Sequence, residues 1–143
     1  MKLYMGIDPG YSGAISLVDH DGAIIETIRL KETEHDISTF VSGYAADVEM
    51  AVLEKVNAMP RQGVSSTFKF GTSYGFCRGL LVCHRIPFSV VPPGTWQRAM
   101  GCLTKGDKNV TKAAAQRMWP SEKVVHATAD AMLLSEYARR QRL

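Results

Sequence analysis

Gly6-Ile7-Asp8-Pro9-Gly10-Tyr11-Ser12-Gly13-Ala14 sets an aspartate between a strand and a turn. Before it, Leu3–Ile7 is a short apolar run of the kind that forms a buried strand, and after it Pro9 and Gly10 break the extended chain. Ala14–Val18 and Ala23–Leu30 are further strand-like runs, and Asp19-His20-Asp21-Gly22 between them has the composition of a tight hairpin turn. These segments predict three antiparallel strands in a meander.

Beyond the meander the periodicity changes. From Glu32 to Asp47, the spacing of Ile37, Phe40, Val41 and Tyr44 predicts a helix, and Met50–Glu54 predicts a short buried strand. After Pro60 a polar stretch through Gly63 opens a long helix to about Arg85, and Phe88–Val91 predicts a fifth strand closed by Pro92 and Pro93. Helices are expected over Thr95–Met100, Asn109–Met118 and His126–Arg140. Three antiparallel strands followed by α/β alternation imply an α/β fold, a mixed five-stranded sheet flanked by helices, in a single domain over residues 1–143.

Composition narrows the function classes. A hydrophobic content of 45% with 22% charged residues suits a globular protein, and no apolar run reaches the ~20 residues of a membrane span. The N-terminus lacks the apolar core of a secretory signal, so a cytoplasmic protein with no membrane partner is expected. Cys77, Cys83 and Cys102 have no CxxC spacing, which argues against a disulfide framework or structural zinc. The net charge of +3 conceals an asymmetry: residues 1–60 hold 4 basic and 10 acidic side chains, and residues 61–143 hold 13 and 4. A basic second half suits a polyanionic partner.

Asp8 and Glu54 each close a predicted strand, and side chains at such ends project into the crevice where α/β proteins bind ligands. On the last helix His126 and Asp130 are four residues apart and share a face. Asp8, Glu54, Asp130 and His126 are therefore the candidate metal ligands. Carboxylates are the hard oxygen donors that hold two Mg²⁺ ions for phosphodiester hydrolysis, one activating water and the other stabilising the leaving oxygen. The imidazole of His126 suits Mn²⁺ better than Mg²⁺, so Mn²⁺ is expected to substitute.

Four ordered elements carry a resemblance. The opening Gly6–Ala14 stretch, Val52-Leu53-Glu54-Lys55-Val56, Ser66-Thr67-Phe68-Lys69-Phe70-Gly71 with Gly75, and Ala129-Asp130-Ala131-Met132-Leu133-Leu134 resemble the motifs of RuvC-type Holliday junction resolvases of the RNase H-like superfamily. Phage-encoded and chloroplast branches are the most similar. The resemblance implies a metal-dependent crossover junction endodeoxyribonuclease acting on four-way DNA, and a homodimer formed on the long helix through Phe68, Phe70, Gly71, Tyr74 and Gly75. Those branches often carry aspartate where this chain has His126.

DNA contacts are expected at two places. Gln62, Ser65, Ser66 and Lys69 stand at a helix start, where backbone amides attract phosphate. Arg98, Lys105, Lys108 and Lys112 belong to a basic stretch, with Lys108 the candidate for the charge beside the scissile phosphate and Lys105 the alternative. Met59 is a candidate wedge for the crossover. Two other readings share these residues: a different RNase H-like nuclease acting on flaps, branches or pre-ribosomal RNA, and a non-catalytic binding module for branched DNA. An actin-like ATPase is excluded by size, since its nucleotide needs two domains.

Overall fold

Parity along the first strand organises the molecule, whose computed structural model describes residues 1–56 and 63–141. Successive side chains of a strand point to opposite faces. In β1 (Leu3–Asp8), Leu3, Met5 and Ile7 enter one apolar core and Tyr4 enters the other. The same alternation assigns Asp8 to the face of Tyr4.

Five strands form one sheet in the order β3-β2-β1-β4-β5. β1, β2 (Ala14–Asp19) and β3 (Ile24–Arg29) are the antiparallel meander, while β4 (Val48–Glu54) and β5 (Phe88–Val91) run parallel to β1. The β2–β3 turn closes as its composition predicts: Gly22 adopts a positive φ of 87°, and the Asp19 carboxylate accepts from the amides of Asp21 and Ala23.

Helices cover both faces. α1 (Glu34–Tyr44) and α2 (Val64–Cys83) bury Ile37, Phe40, Val41, Cys77 and Leu81 against Leu3, Met5, Ile7, Leu17 and Leu53. On the other face α5 (His126–Gln141) lies along β1 and β2, with α3 (Pro93–Ala99) and α4 (Lys108–Met118) beside it around Trp96 and Trp119. Among the described residues no helix is long and apolar enough to cross a membrane.

Element ends differ from the sequence expectation for local reasons. The helix expected from Glu32 starts at Glu34, because the Thr33 hydroxyl caps the Asp36 amide, and its last residues, Ala45–Asp47, tighten into a 3-10 turn. α2 stops at Cys83, two residues short of Arg85. Arg85 takes a left-handed conformation, φ 55°, and the following Ile86 amide returns to the Leu81 carbonyl, which closes the helix. α3 begins at Pro93, since proline fits the first turn of a helix, where no intrahelical amide bond is lost.

Candidate active site

The register of the sheet brings two acids together. β1 and β4 pair Gly6 with Val52 and Ile7 with Leu53, so the next positions, Asp8 and Glu54, are neighbours on the face that α5 covers. The third acid depends on a missing side chain. A Cβ at Gly6 would lie 2.2 Å from the Ser135 amide nitrogen and 2.4 Å from the Ala131 carbonyl, so α5 sits directly on the β1 backbone. Asp130, one residue before Ala131, is thereby carried to the end of β1.

The three carboxyls act on one another electrostatically. Burial pushes the Asp8 carboxyl well above the usual carboxylate range, and the charges of Glu54 and Asp130 add to it. Glu54, only 7% exposed, is raised to about 7, by burial first, against the opposing hydrogen bond from Trp96. Asp130 is also raised by burial, while a Thr111 hydrogen bond and the charges of Lys108 and His126 pull it down. Three carboxyls that each resist ionisation create a local demand for positive charge.

Lys108 is the cation brought to this cluster, where its charge acts on both Asp8 and Asp130. It is the first residue of α4, the end at which the helix dipole disfavours a cation. Asp107, whose carboxylate caps the Asn109 amide, offsets part of that cost. Lys105 instead occupies the exposed turn before α4 with φ 50° and is not among the charges acting on the three acids. His126 is exposed at the start of α5, one turn before Asp130.

Three supporting residues escaped the sequence reading. Trp96, fully buried, donates its indole N–H to Glu54 Oε2 at 2.8 Å. Thr111 is buried and donates its hydroxyl to the Lys108 carbonyl at 3.3 Å, and it lies close enough to Asp130 to favour the charged carboxylate. Ser73 on α2 accepts from the Gly10 amide at 3.1 Å, which ties the turn after Asp8 to the opposite layer. At Gly10, φ 104°, a side chain would be strained and would meet the Phe70 ring. The buried thiol of Cys77 is raised to about 12, by burial and then by Asp8, so it is inert at neutral pH.

Donor chemistry suits a hard divalent cation: carboxylates from three separate elements, two of them within hydrogen-bonding reach of each other. Among the described residues, no three His, Cys, Asp or Glu side chains already close around a common point. At neutral pH such a cluster is reconciled by a shared proton or by a cation, and the raised carboxyls mark where either is held.

The other expected contact residues are spread more widely. Ser65, Ser66 and Lys69 are exposed on the first turns of α2, and Gln62 and Met59 lie outside the described residues. Lys69 borders a cavity of about 540 Å³ with Tyr11, Glu32 and Glu34, and none of the three acids lines it. Arg98 is exposed on α3, and Lys112 is half-buried on α4, one turn after Lys108. On α2, Phe68 is exposed, and Gly71 and Gly75 would leave open space around a Cβ among the described residues. Phe70 and Tyr74 turn toward their own domain instead: the Phe70 ring lies on Gly10, and Tyr74 packs on the core beneath α2.

No protein-family model matches the sequence, and neither does any curated protein. Solved structures do match. The chain is similar to Thermus thermophilus RuvC, at 14% identity and a TM-score of 0.64, over 94% of this chain and 92% of that one. It is similar at 15% identity and a TM-score of 0.63 to T. thermophilus RuvC in complex with a Holliday junction substrate, over 99% and 97% of the two chains. The fold is therefore that of RuvC, an α/β fold of the RNase H-like kind.

Proposed function

We propose that this chain is a divalent-cation-dependent endonuclease that resolves four-way DNA junctions as a homodimer. One observation carries the reading: Asp8, Glu54 and Asp130, from β1, β4 and α5, converge at one end of the sheet with Lys108 beside them. The likeness in fold to a RuvC bound to a Holliday junction supports the choice of substrate.

Asp8, Glu54 and Asp130 would hold Mg²⁺ or Mn²⁺, with His126 as a further donor. When bound, such cations polarise the phosphate and activate water for in-line attack. The chain's own residues supply the rest. Trp96 fixes one Glu54 oxygen, and the Thr111 hydroxyl near Asp130 favours its charged form. Lys108 offers a charge to the non-bridging oxygens as negative charge develops on them. Arg98, Lys112 and Lys105 contribute to the positive surface that the DNA backbone would meet. On α2, Val64, Phe68, Gly71, Gly75, Gly79 and Val82 form an exposed stripe at helical spacing, the face on which a second copy would pack.

The test is a labelled mobile four-way junction incubated with Mg²⁺ or Mn²⁺, for the wild type and Asp130→Asn. Paired nicks by the wild type, and binding without cutting by the variant, are expected. Binding without cutting by the wild type in either cation would assign a non-catalytic binding module. Equal cutting of flaps, duplex or RNA would assign a less selective nuclease.

A further inference from the structure

We propose that Arg29 grips a DNA phosphate flanking the scissile one, on the same sheet face as the three carboxylates. The proposal rests on the reading of that site as one for DNA phosphodiesters. Register carries it: β1 pairs Asp8 with Ala14, and β2 pairs Ala14 with Arg29. The face is fixed by neighbours on the same strands. The Ser16 and Thr27 hydroxyls meet at 2.8 Å, so residues 14 and 16 of β2 and 27 and 29 of β3 project to one side. Ser16 lies opposite Gly6, against which Ala131 and Ser135 of α5 pack. Arg29, Ala14 and Asp8 therefore form a row across the sheet, with Ala14, itself covered, as the middle position.

The outer two positions are two strand spacings apart, roughly 10 Å between backbones. A DNA strand whose scissile phosphate sits at Asp8 would bring a neighbouring phosphate within reach of a side chain as long as arginine.

Among the described residues no side-chain hydrogen bond or salt bridge engages this guanidinium. Arg29 Nε is buried with no hydrogen-bond partner, and no salt bridge among the described residues involves Arg29. The nearest acid along the strand, Glu26, projects to the opposite face and takes the Tyr44 hydroxyl. The buried Nε–H holds no acceptor and is out of reach from outside, so a phosphate would be met by the two terminal Nη groups of this half-buried side chain. The planar fork of arginine matches phosphate oxygens in pairs, which an ammonium does not. Arg29 is also one of only 4 basic residues among the first 60. General attraction of the chain's acidic half for DNA cannot account for it, so its position in the row is what matters.

Binding of a four-way junction across a salt series, in the non-cutting Asp130→Asn background, tests this. Adding Arg29→Gln should flatten the plot of log affinity against log salt by about 0.9, the contribution of one phosphate contact. Affinity at moderate salt should fall roughly tenfold, and Arg29→Lys should keep most of the slope. A purely structural role would not change the slope. A junction with a neutral methylphosphonate at either phosphate flanking the cut should show the same loss at one of them, with no further loss on Arg29→Gln. An unchanged slope, or fully additive losses, overturns the proposal. If Arg29→Gln does not fold, the methylphosphonate scan with native Arg29 decides: no loss at either flanking phosphate overturns it. A wild type that binds no DNA at any salt overturns the functional reading itself, a result distinct from binding with an unaltered slope.

Discussion

The indole N–H of Trp96 ends on Glu54 Oε2, 2.8 Å away, and both side chains are buried. A buried carboxylate oxygen with a fixed donor cannot rotate freely, so this bond holds the Glu54 carboxylate in one orientation beside Asp8. Trp96→Phe keeps most of the packing and removes only the donor. Its cost in activity and in apparent Mg²⁺ affinity should be about 10- to 100-fold, the range for partners that orient metal ligands. Stability should fall by roughly 1–3 kcal/mol from the unpaired oxygen. Mg²⁺ titration of cleavage and thermal melts check both, and unchanged Mg²⁺ dependence would deny Trp96 this positioning role.

Protons and cations compete for the acids. Glu54 is raised from 4.5 to about 7, and Asp8 and Asp130 move the same way. Between those two values the folded state holds more protons than the unfolded chain, so stability is fully present below the lower one and is lost as pH rises through the upper one. The loss from Glu54 is on the order of 3 kcal/mol. Without divalent cations, the Tm should therefore fall between pH 5 and 8 by several degrees. Adding Mg²⁺ or Mn²⁺ should restore it at pH 8 and do little at pH 5, with cleavage rising across the same interval. Calorimetry with and without chelator measures this, and a Tm that rises with pH in chelator contradicts it.

Lys108 and Lys105 are three residues apart and should behave differently. Lys108→Ala removes the charge acting on Asp8 and Asp130 and should lower kcat by about 10²-fold, with a smaller effect on junction affinity. Lys105→Ala should weaken binding a few-fold and leave kcat near the wild-type value. Single-turnover cleavage separates the two effects, and equal losses in kcat would count against the assignment.

Gly6→Ala should be severely destabilising, by roughly 3 kcal/mol or more, because its methyl would overlap backbone atoms of α5, which cannot yield as a flexible side chain can. Gly43, inside α1, has nothing within 4 Å of a Cβ position among the described residues. Gly43→Ala should accordingly stabilise by about 0.5–1 kcal/mol through helix propensity. Denaturant melts of the pair distinguish close approach from a general intolerance of alanine.

The candidate acids were legible in the sequence because their placement is local. Asp8 and Glu54 end apolar strands, and Asp130 sits one turn from His126 on a helix. The succession of strands and helices followed from periodicity, whereas the order β3-β2-β1-β4-β5 within the sheet depends on pairings between distant segments. Trp96 was not legible, because its partner lies 42 residues away and indole donors give no hint of their acceptor. The inward turn of Phe70 and Tyr74 was equally hidden: an apolar residue on an exposed-looking helix can serve its own core or a partner, and only the packing under α2 decides. Helix ends shifted where one residue departed from its neighbours' conformation, as at Arg85.

The last helix has a consequence for the time before folding is finished. α5 contributes one acid of the three, closes one face of the sheet, and is pinned to the β2–β3 turn where Arg139 donates to the His20 carbonyl. A chain interrupted before residue 126, during synthesis or by proteolysis, lacks Asp130 and leaves that face of the sheet bare. On the reading proposed above, such a fragment could not cut DNA, because the set of acids is complete only once the first turns of α5 have docked on the sheet.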